Sequence, residues 1–382
     1  MSTIKVTNIE HGSTTDGGIQ LDSSGHVTVD GQQMPTAGAL SNRNLIINGA
    51  MQVAQRGTSE TGVTGDGYHT VDRARIDLSS LGTYTVTQST DAPEGFSNSF
   101  KLECTTAQSS PAAGAYFVYQ QRIEGQNLQM IKKGTSNAQQ LTVSFWVKSD
   151  KTGTYILGLN DRDNDRVNSK SYTISSADTW EYKTLTYEAD TTGTFNNDNA
   201  ESLRLDFWLA SGSNFNSGTL STGWETFTNA NRAVGNVNLS DTVGNDWSIT
   251  GLQLEVGEKA TPFEHRSYGD ELARCQRYFQ RISGDNDAYT YPSKGQGSGS
   301  VDATIPLCVP LRASPTMNAI DSRTFTDSSS FAASSSTAPT ASHFNANNPH
   351  LAVNCGGFSG LTNNEVSVWG PRSNALEISA EL

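Results

Sequence analysis

The chain has 382 residues, 26 basic and 39 acidic side chains, a net charge of −13 and 35 glycines. That length fits two or three domains of about 150 residues each, and a hydrophobic content of 35% with only 17% charged residues favours turn-rich all-β structure over a helical bundle. The acidic balance repels phosphate, so neither nucleic acid nor an anionic membrane is an expected partner, and no apolar run nears the roughly 18 residues of a membrane span.

Residues 1–43 are thin in apolar side chains. Ile4, Val6 and Ile9 are isolated, and no apolar signal segment is visible between Met1 and Asp30. Ile19 and Leu21, a turn at Asp22-Ser23-Ser24-Gly25, then Val27 and Val29 predict one small hairpin. A lone hairpin is marginal in water. These seven apolar residues are therefore expected to order on assembly, by pairing with other copies or with a docking protein.

Residues 44–266 carry the strongest strand signals. Leu141, Val143, Phe145 and Val147 alternate with Thr142, Ser144, Trp146 and Lys148, and Leu203, Leu205, Phe207 and Leu209 alternate with Arg204, Asp206, Trp208 and Ala210. Period-two patterning over many short strands predicts a β-sandwich. Near the end of this span the apolar parity flips. Trp247 and Ile249 share one parity, Leu252, Leu254 and Val256 the other. A β-bulge at Gly251 would keep both sets on the core side.

A helix is predicted over 268–282, with Ser267 as N-cap and Asp270 as its capping partner. Leu272, Cys275, Phe279 and Ile282 form its apolar stripe, which would pack on the sandwich or beside copies at a symmetry axis. Residues 267–283 then link to a smaller C-terminal β domain, 284–382. There Ile305, Leu307, Val309 and Leu311 alternate, and Pro306 and Pro310 suggest an edge strand. Thr326–Ser342 is rich in Ser, Thr and Ala and is expected as a long loop. Glu365–Trp369 and Ala375–Ser379 are expected as closing strands.

Chemistry is mostly absent. There is no GxSxG, no GxxxxGK[ST] and no HExxH, and the six histidines show no metal-ligand spacing. No enzyme, metal or cofactor is expected. Glu124, Glu181, Asp206 and Glu255 could supply a glycosidase pair, but sequence does not place them together. Asp161, Asp163 and Asp165 alternate as cation ligands do, yet Arg162 and Arg166 oppose a cation and the EF-hand spacing fails. Cys104, Cys275, Cys308 and Cys355 form no CxxC pair and are expected as buried thiols.

Sugar binding fits better. Aromatic rings cover the CH faces of saccharides, and short polar side chains bind the hydroxyls. Trp146 and Trp208 lie opposite their strands' aliphatic residues, while Tyr289, Tyr291, Phe344 and Trp369 sit in the polar C-terminal part. Each ring has packing as its competing role.

Several stretches carry a family likeness. Asn44-Leu45-Ile46-Ile47-Asn48-Gly49-Ala50-Met51-Gln52, Gln55-Arg56-Gly57-Thr58 and Val143–Ser149 are three. The most specific runs from Ile249-Thr250-Gly251-Leu252-Gln253-Leu254-Glu255 through Pro262-Phe263-Glu264-His265-Arg266 to Cys275-Gln276-Arg277-Tyr278-Phe279. Over about 44–283 the chain resembles bacteriophage tail-fibre proteins, notably those of marine phages. It departs from them at Ala74, where a Trp is usual after Asp72-Arg73. The resemblance implies a jelly-roll sandwich similar to carbohydrate-binding modules, in a homotrimeric virion appendage made in the host cytoplasm. It implies an N-terminus docked to a tail protein (nozzle, adaptor or baseplate) and a distal C-terminus facing host glycan or lipopolysaccharide. The competing readings are a free carbohydrate-binding module and a fibre with polysaccharide depolymerase activity.

Overall fold

The computed structural model describes residues 7–9, 18–37, 39–282, 291–296, 299–319, 323–326, 332–335, 340–343, 350–358, 366–371 and 376–382. Ile4, Val6, Tyr289 and Phe344 fall outside them. The chain forms two compact units, 1–266 and 267–382.

The first unit begins with a small antiparallel sheet of β1 (Asn8–Ile9), β2 (Ile19–Leu21), β3 (Val27–Val29) and β4 (Gln32–Gln33). The expected hairpin is β2–β3, with Ile19 opposite Val29 and Leu21 opposite Val27. Thirteen strands follow: β5 (Ser59–Val63), β6 (Gly67–Tyr68), β7 (Arg75–Ser79), β8 (Thr83–Ser89), β9 (Ser99–Thr106), β10 (Tyr116–Glu124), β11 (Leu141–Ser149), β12 (Gly153–Asp161), β13 (Arg166–Ile174), β14 (Glu181–Tyr187), β15 (Glu201–Ser211), β16 (Glu225–Thr226) and β17 (Asp246–Val256). A one-turn helix, α1 (Ser213–Asn216), interrupts them after β15.

They build a jelly-roll β-sandwich. One sheet has the order β16-β13-β12-β15-β10-β7-β6, the other β14-β11-β17-β9-β8-β5. The chain passes repeatedly from one sheet to the other, so strands distant in sequence become neighbours. Alternate residues of each strand point inward, and their rings interlock: Phe145 meets Phe207 edge-on at 5.1 Å, and Tyr119 lies 5.5 Å from Trp247. Each large side chain buried this way contributes about 1.5–3 kcal/mol.

The expected bulge is present. On β11, Ser144 pairs with Gln253 and Trp146 with Thr250, so Phe145 faces both Gly251 and Leu252. Gly251 has φ +62°, a conformation that side chains with a Cβ resist. Trp247, Ile249, Leu252, Leu254 and Val256 all join the one core.

The second unit starts with α2 (Tyr268–Gln276), capped as expected. Ser267 Oγ accepts from the Asp270 backbone N–H at 3.2 Å and donates to its carboxylate at 2.7 Å. The predicted stripe is cut short. The helix ends at Gln276 rather than 282, and Phe279 and Ile282 belong to β18 (Phe279–Ile282). Leu272 is half-buried and Cys275 buried. The reason is non-local: β18 pairs with a strand almost a hundred residues away, which outcompetes further helical turns.

The remaining strands are β19 (Tyr291–Gln296), β20 (Ser300–Pro306), β21 (Thr316–Ala319), β22 (Arg323–Thr326), β23 (Ala332–Ser335), β24 (Thr340–His343), β25 (His350–Gly356), β26 (Val366–Pro371) and β27 (Leu376–Ser379). They form the sheets β23-β22-β26-β19-β20-β25-β24 and β18-β27-β21. Two expectations are corrected. β20 is interior, because Pro306 is its last residue and the prolines do not interrupt its ladder. The small-residue stretch 326–342 contains β23 and β24, whose backbones pair at the sheet's two edges despite little to bury. Cys104, Cys275 and Cys355 are buried, whereas Cys308 is exposed.

Candidate functional site

The alternation on β11 sends Val143, Phe145 and Val147 into the core and Trp146 out. Directly opposite Trp146 on β14 stands Tyr182, 47% exposed, with ring centroids 5.3 Å apart. On the other side of Trp146 lies the bulge. A Cβ on Gly251 would come within 2.7 Å of the Phe96 ring and 3.1 Å of Trp146, so the missing side chain lets both rings settle there. Phe96 in turn packs against Phe263 at 5.0 Å and exposed His265 at 5.2 Å. The result is an aromatic strip, Tyr182–Trp146–Phe96–Phe263–His265, across the outer face of the six-stranded sheet.

Polar groups border it. Asp91 accepts from the Trp180 indole at 3.1 Å and from the Lys148 ammonium. The Lys148 bond outweighs partial burial and, with Trp180, holds the Asp91 carboxyl below its usual range. Glu181 binds the Ser175 and Ser176 amides and pairs with Lys183. Ring faces beside fixed carboxylates and ammonium groups can take up both the apolar and the hydroxyl sides of a saccharide. The signal for Phe96, Phe263 and His265 was absent from strand periodicity, because they lie on connecting segments.

The seven-stranded sheet offers a different outer face. Arg75, Gln120, Asp206, Gly158 and Ser169 stand side by side across five strands, with Arg122, Arg204 and Asn160 in the next row. Asp206 is fully buried; it accepts from Asn160 at 2.7 Å and is ion-paired to Arg232 at 2.7 Å and Arg204 at 3.0 Å. Asp77 pairs with Arg75 at 2.8 Å, and burial still pushes its carboxyl above the usual range against the pull of Arg75 and Arg122. Trp208 does not reach solvent. It is 1% exposed, packed with Val118, Ile156 and Ala233, and Arg232 lies 4.8 Å over its ring. The segment after α1 covers it, so Trp208 is a packing residue, and its assignment to glycan is corrected.

The other candidates separate. Tyr291 is half-buried against the C-terminal core, and in register it faces Trp369 of β26. Asp161 accepts from the Asp163 and Asn164 amides at 3.0 and 3.1 Å and from Lys133 at 2.6 Å. Its alternating acids thus shape a turn and an ion pair. Among the described residues no group of three His, Cys, Asp or Glu side chains is placed to hold a metal, and no helix is long and apolar enough to cross a membrane. Glu255 is bound by Thr261 and Gln253, Glu181 by Lys183, and Asp206 by its arginines, so those three carboxylates occupy separate networks. One cavity, of about 380 Å³, is lined by Leu128, Lys133 and Phe195; another, of about 310 Å³, lies between Thr36, Gln140 and Glu258. At the N-terminus Ile9, Ile19 and Val29 form a cross-strand row and are exposed, as is Leu21, while Val27 is half-buried.

No family model and no curated protein matches this chain. Among solved structures it is similar to the enzymatically active domain of tailspike protein 4 of bacteriophage CBA120, at 16% identity and a TM-score of 0.29, over 56% of this chain and 21% of that one. It is similar to a CBM4 structure at 12% identity and a TM-score of 0.26, over 55% of this chain and 99% of that one. It is also similar to the family 11 carbohydrate-binding module of the Clostridium thermocellum cellulase Lic26A-Cel5E, at 8% identity and a TM-score of 0.26, covering 52% and 96%. The chain thus spans about a fifth of the tailspike chain, and the jelly-roll assignment stands on its own two sheets.

Proposed function

We propose that this chain is a glycan-binding attachment protein: a homotrimeric tail fibre of a bacteriophage virion that holds host surface saccharide without cutting it. The observation that carries the reading is the aromatic strip with half-buried Trp146 and exposed Tyr182 in cross-strand contact. Ring stacking removes the CH face of a sugar from water, and the flanking Asp91–Lys148 and Glu181–Lys183 pairs offer acceptors and donors to its hydroxyls. One such contact is weak. Three copies on one appendage multiply it through effective concentration, by as much as 10²–10⁴. The exposed apolar row of the N-terminal sheet supplies the surface for self-association or for docking to a tail protein. Three chains at −13 each keep fibres apart.

The test is titration of purified host lipopolysaccharide and capsular oligosaccharides into the full chain and into Trp146→Ala. Loss of at least about tenfold in affinity, about 1.4 kcal/mol, supports the reading. Unchanged binding by the variant removes the strip from it. Light scattering of the full chain distinguishes the alternatives: a mass of three chains fits a fibre, and a folded monomer fits a free sugar-binding module. Shortening of the polysaccharide during incubation would replace binding alone with depolymerase activity.

A further inference from the structure

The N-terminal sheet is fastened to the sandwich at one defined point. The β2–β3 turn is organised by Asp22, whose carboxylate accepts from the Ser24 and His26 amides, both at 2.9 Å. The same carboxylate takes the His26 Nδ1 at 2.6 Å. The other ring nitrogen, Nε2, contacts Glu258, two residues past the end of β17. His26 is therefore a bridge between a carboxylate of its own turn and a carboxylate of the sandwich, 232 residues on. Its side chain is only 11% exposed although both acids are above 40%.

Only a doubly protonated imidazole can donate to both carboxylates at once. Two further contacts lie at this junction. Lys259 approaches Asp22 at 3.8 Å, and the Glu258 amide donates to Thr36 Oγ1 at 3.0 Å. Asp30 is occupied at the far end of the hairpin, accepting from the Gly18 amide at 2.7 Å. One ring thus decides whether two facing carboxylates attract the turn or repel it.

We propose that His26 is a pH-operated clasp: as imidazolium it holds the N-terminal hairpin on the sandwich, and on losing its proton it lets the hairpin swing free. Hydrogen bonds donated to Asp22 and Glu258 raise the His26 pKa above its ordinary 6.5, and the His26 bonds pull Asp22 down to about 2 from 3.8. A raised pKa stabilises the clasp fully below 6.5 and loses it as pH rises through the shifted value; a lowered one stabilises it above 3.8 and loses it near 2. The clasp is therefore closed between about pH 4 and 6.5. The hairpin's exposed Ile19, Leu21 and Val29 change orientation with it. This device does not depend on the glycan reading.

The test is hydrogen exchange of the full chain, comparing protection factors of the 19–33 amides with those of β11 at pH 5.5 and 8.5. Hairpin protection should fall roughly fivefold or more on raising the pH, with β11 unchanged. In His26→Gln it should be low and the same at both. A pH-independent hairpin in the wild type, or an unchanged pH response in His26→Gln, overturns the proposal. Should His26→Gln fail to fold, proton NMR titration of His26 in the wild type and in Glu258→Gln decides: equal midpoints also overturn it.

Discussion

Trp146 and Trp208 carry the same sequence signal, and the two outer faces of the sandwich treat them in opposite ways. Both stand on long strands, out of phase with the aliphatic core residues. On the six-stranded sheet Trp146 stays half-buried beside exposed Tyr182, and Phe96, Phe263 and His265 extend the pair into a strip. On the seven-stranded sheet the segment after α1 lies over Trp208, with Phe215 and Arg232 against the ring. In the strip Tyr182 and His265 are exposed, while Trp146, Phe96 and Phe263 are half-buried. The charged face is a network of close ion pairs, in which Asp206 joins Arg204 of its own strand to Arg232 of the covering segment. An outward aromatic residue is thus a binding candidate only where the chain leaves it uncovered.

That contrast can be broken at the network first. Asp206→Ala leaves Arg204 and Arg232 without their buried partner and should cost about 3–5 kcal/mol, read from the urea midpoint. A loss below 1 kcal/mol would mean that the charges are solvated and the face open. Trp208→Ala should cost a similar amount, about 3–5 kcal/mol, by emptying a covered cluster, and should leave glycan affinity intact in the folded fraction. Trp146→Ala should do the reverse, with lost affinity and little change in melting temperature. Equal behaviour of the two variants would end the distinction between the faces.

Gly251→Ala sharpens the comparison from below. A methyl group there meets Phe96 at 2.7 Å in a left-handed backbone conformation, for a cost of about 1–3 kcal/mol. It should also displace the strip and weaken glycan binding beyond its effect on stability; preserved binding would show that the strip tolerates the shift. The smallest effect is at the rim. Asp91→Asn removes an exposed pair with Lys148, and under about 1 kcal/mol is expected. Because Asp91 titrates below its ordinary 3.8, its contribution is present above that value and fades as pH falls through the lowered one. A variant equal to the wild type at pH 6 would reduce Asp91 to a bystander.

Short-range patterning made a good part of this visible. The parity flip between Ile249 and Leu252 located the bulge, because a two-residue period permits only one way to keep both sets inside. Ser267 and Asp270 located the start of α2, because a cap is satisfied within one turn. The alternation of β11 and β15 sorted core from outer residues correctly as far as Leu209, Trp146 and Trp208 included, whereas Ala210 joins the core past a register shift. The end of α2 was not visible: Phe279 and Ile282 keep helical spacing, yet the ladder to Ser379 and Leu376 claims them. β20 shows the same limit, since Pro306 suggested an edge until β19 and β25 flanked the strand.

The sequence by itself determined which residues face a core, where the backbone must bulge and where the helix begins. Those are local consequences of side-chain period, a glycine's φ and a hydrogen bond three residues long. Only the tertiary structure decided which tryptophan is covered, which rings join Trp146 and which carboxylate meets His26. Phe263 and Glu258 reach Phe96 and His26 across more than 160 residues of chain, and a contact of that range leaves no period for local patterning to register.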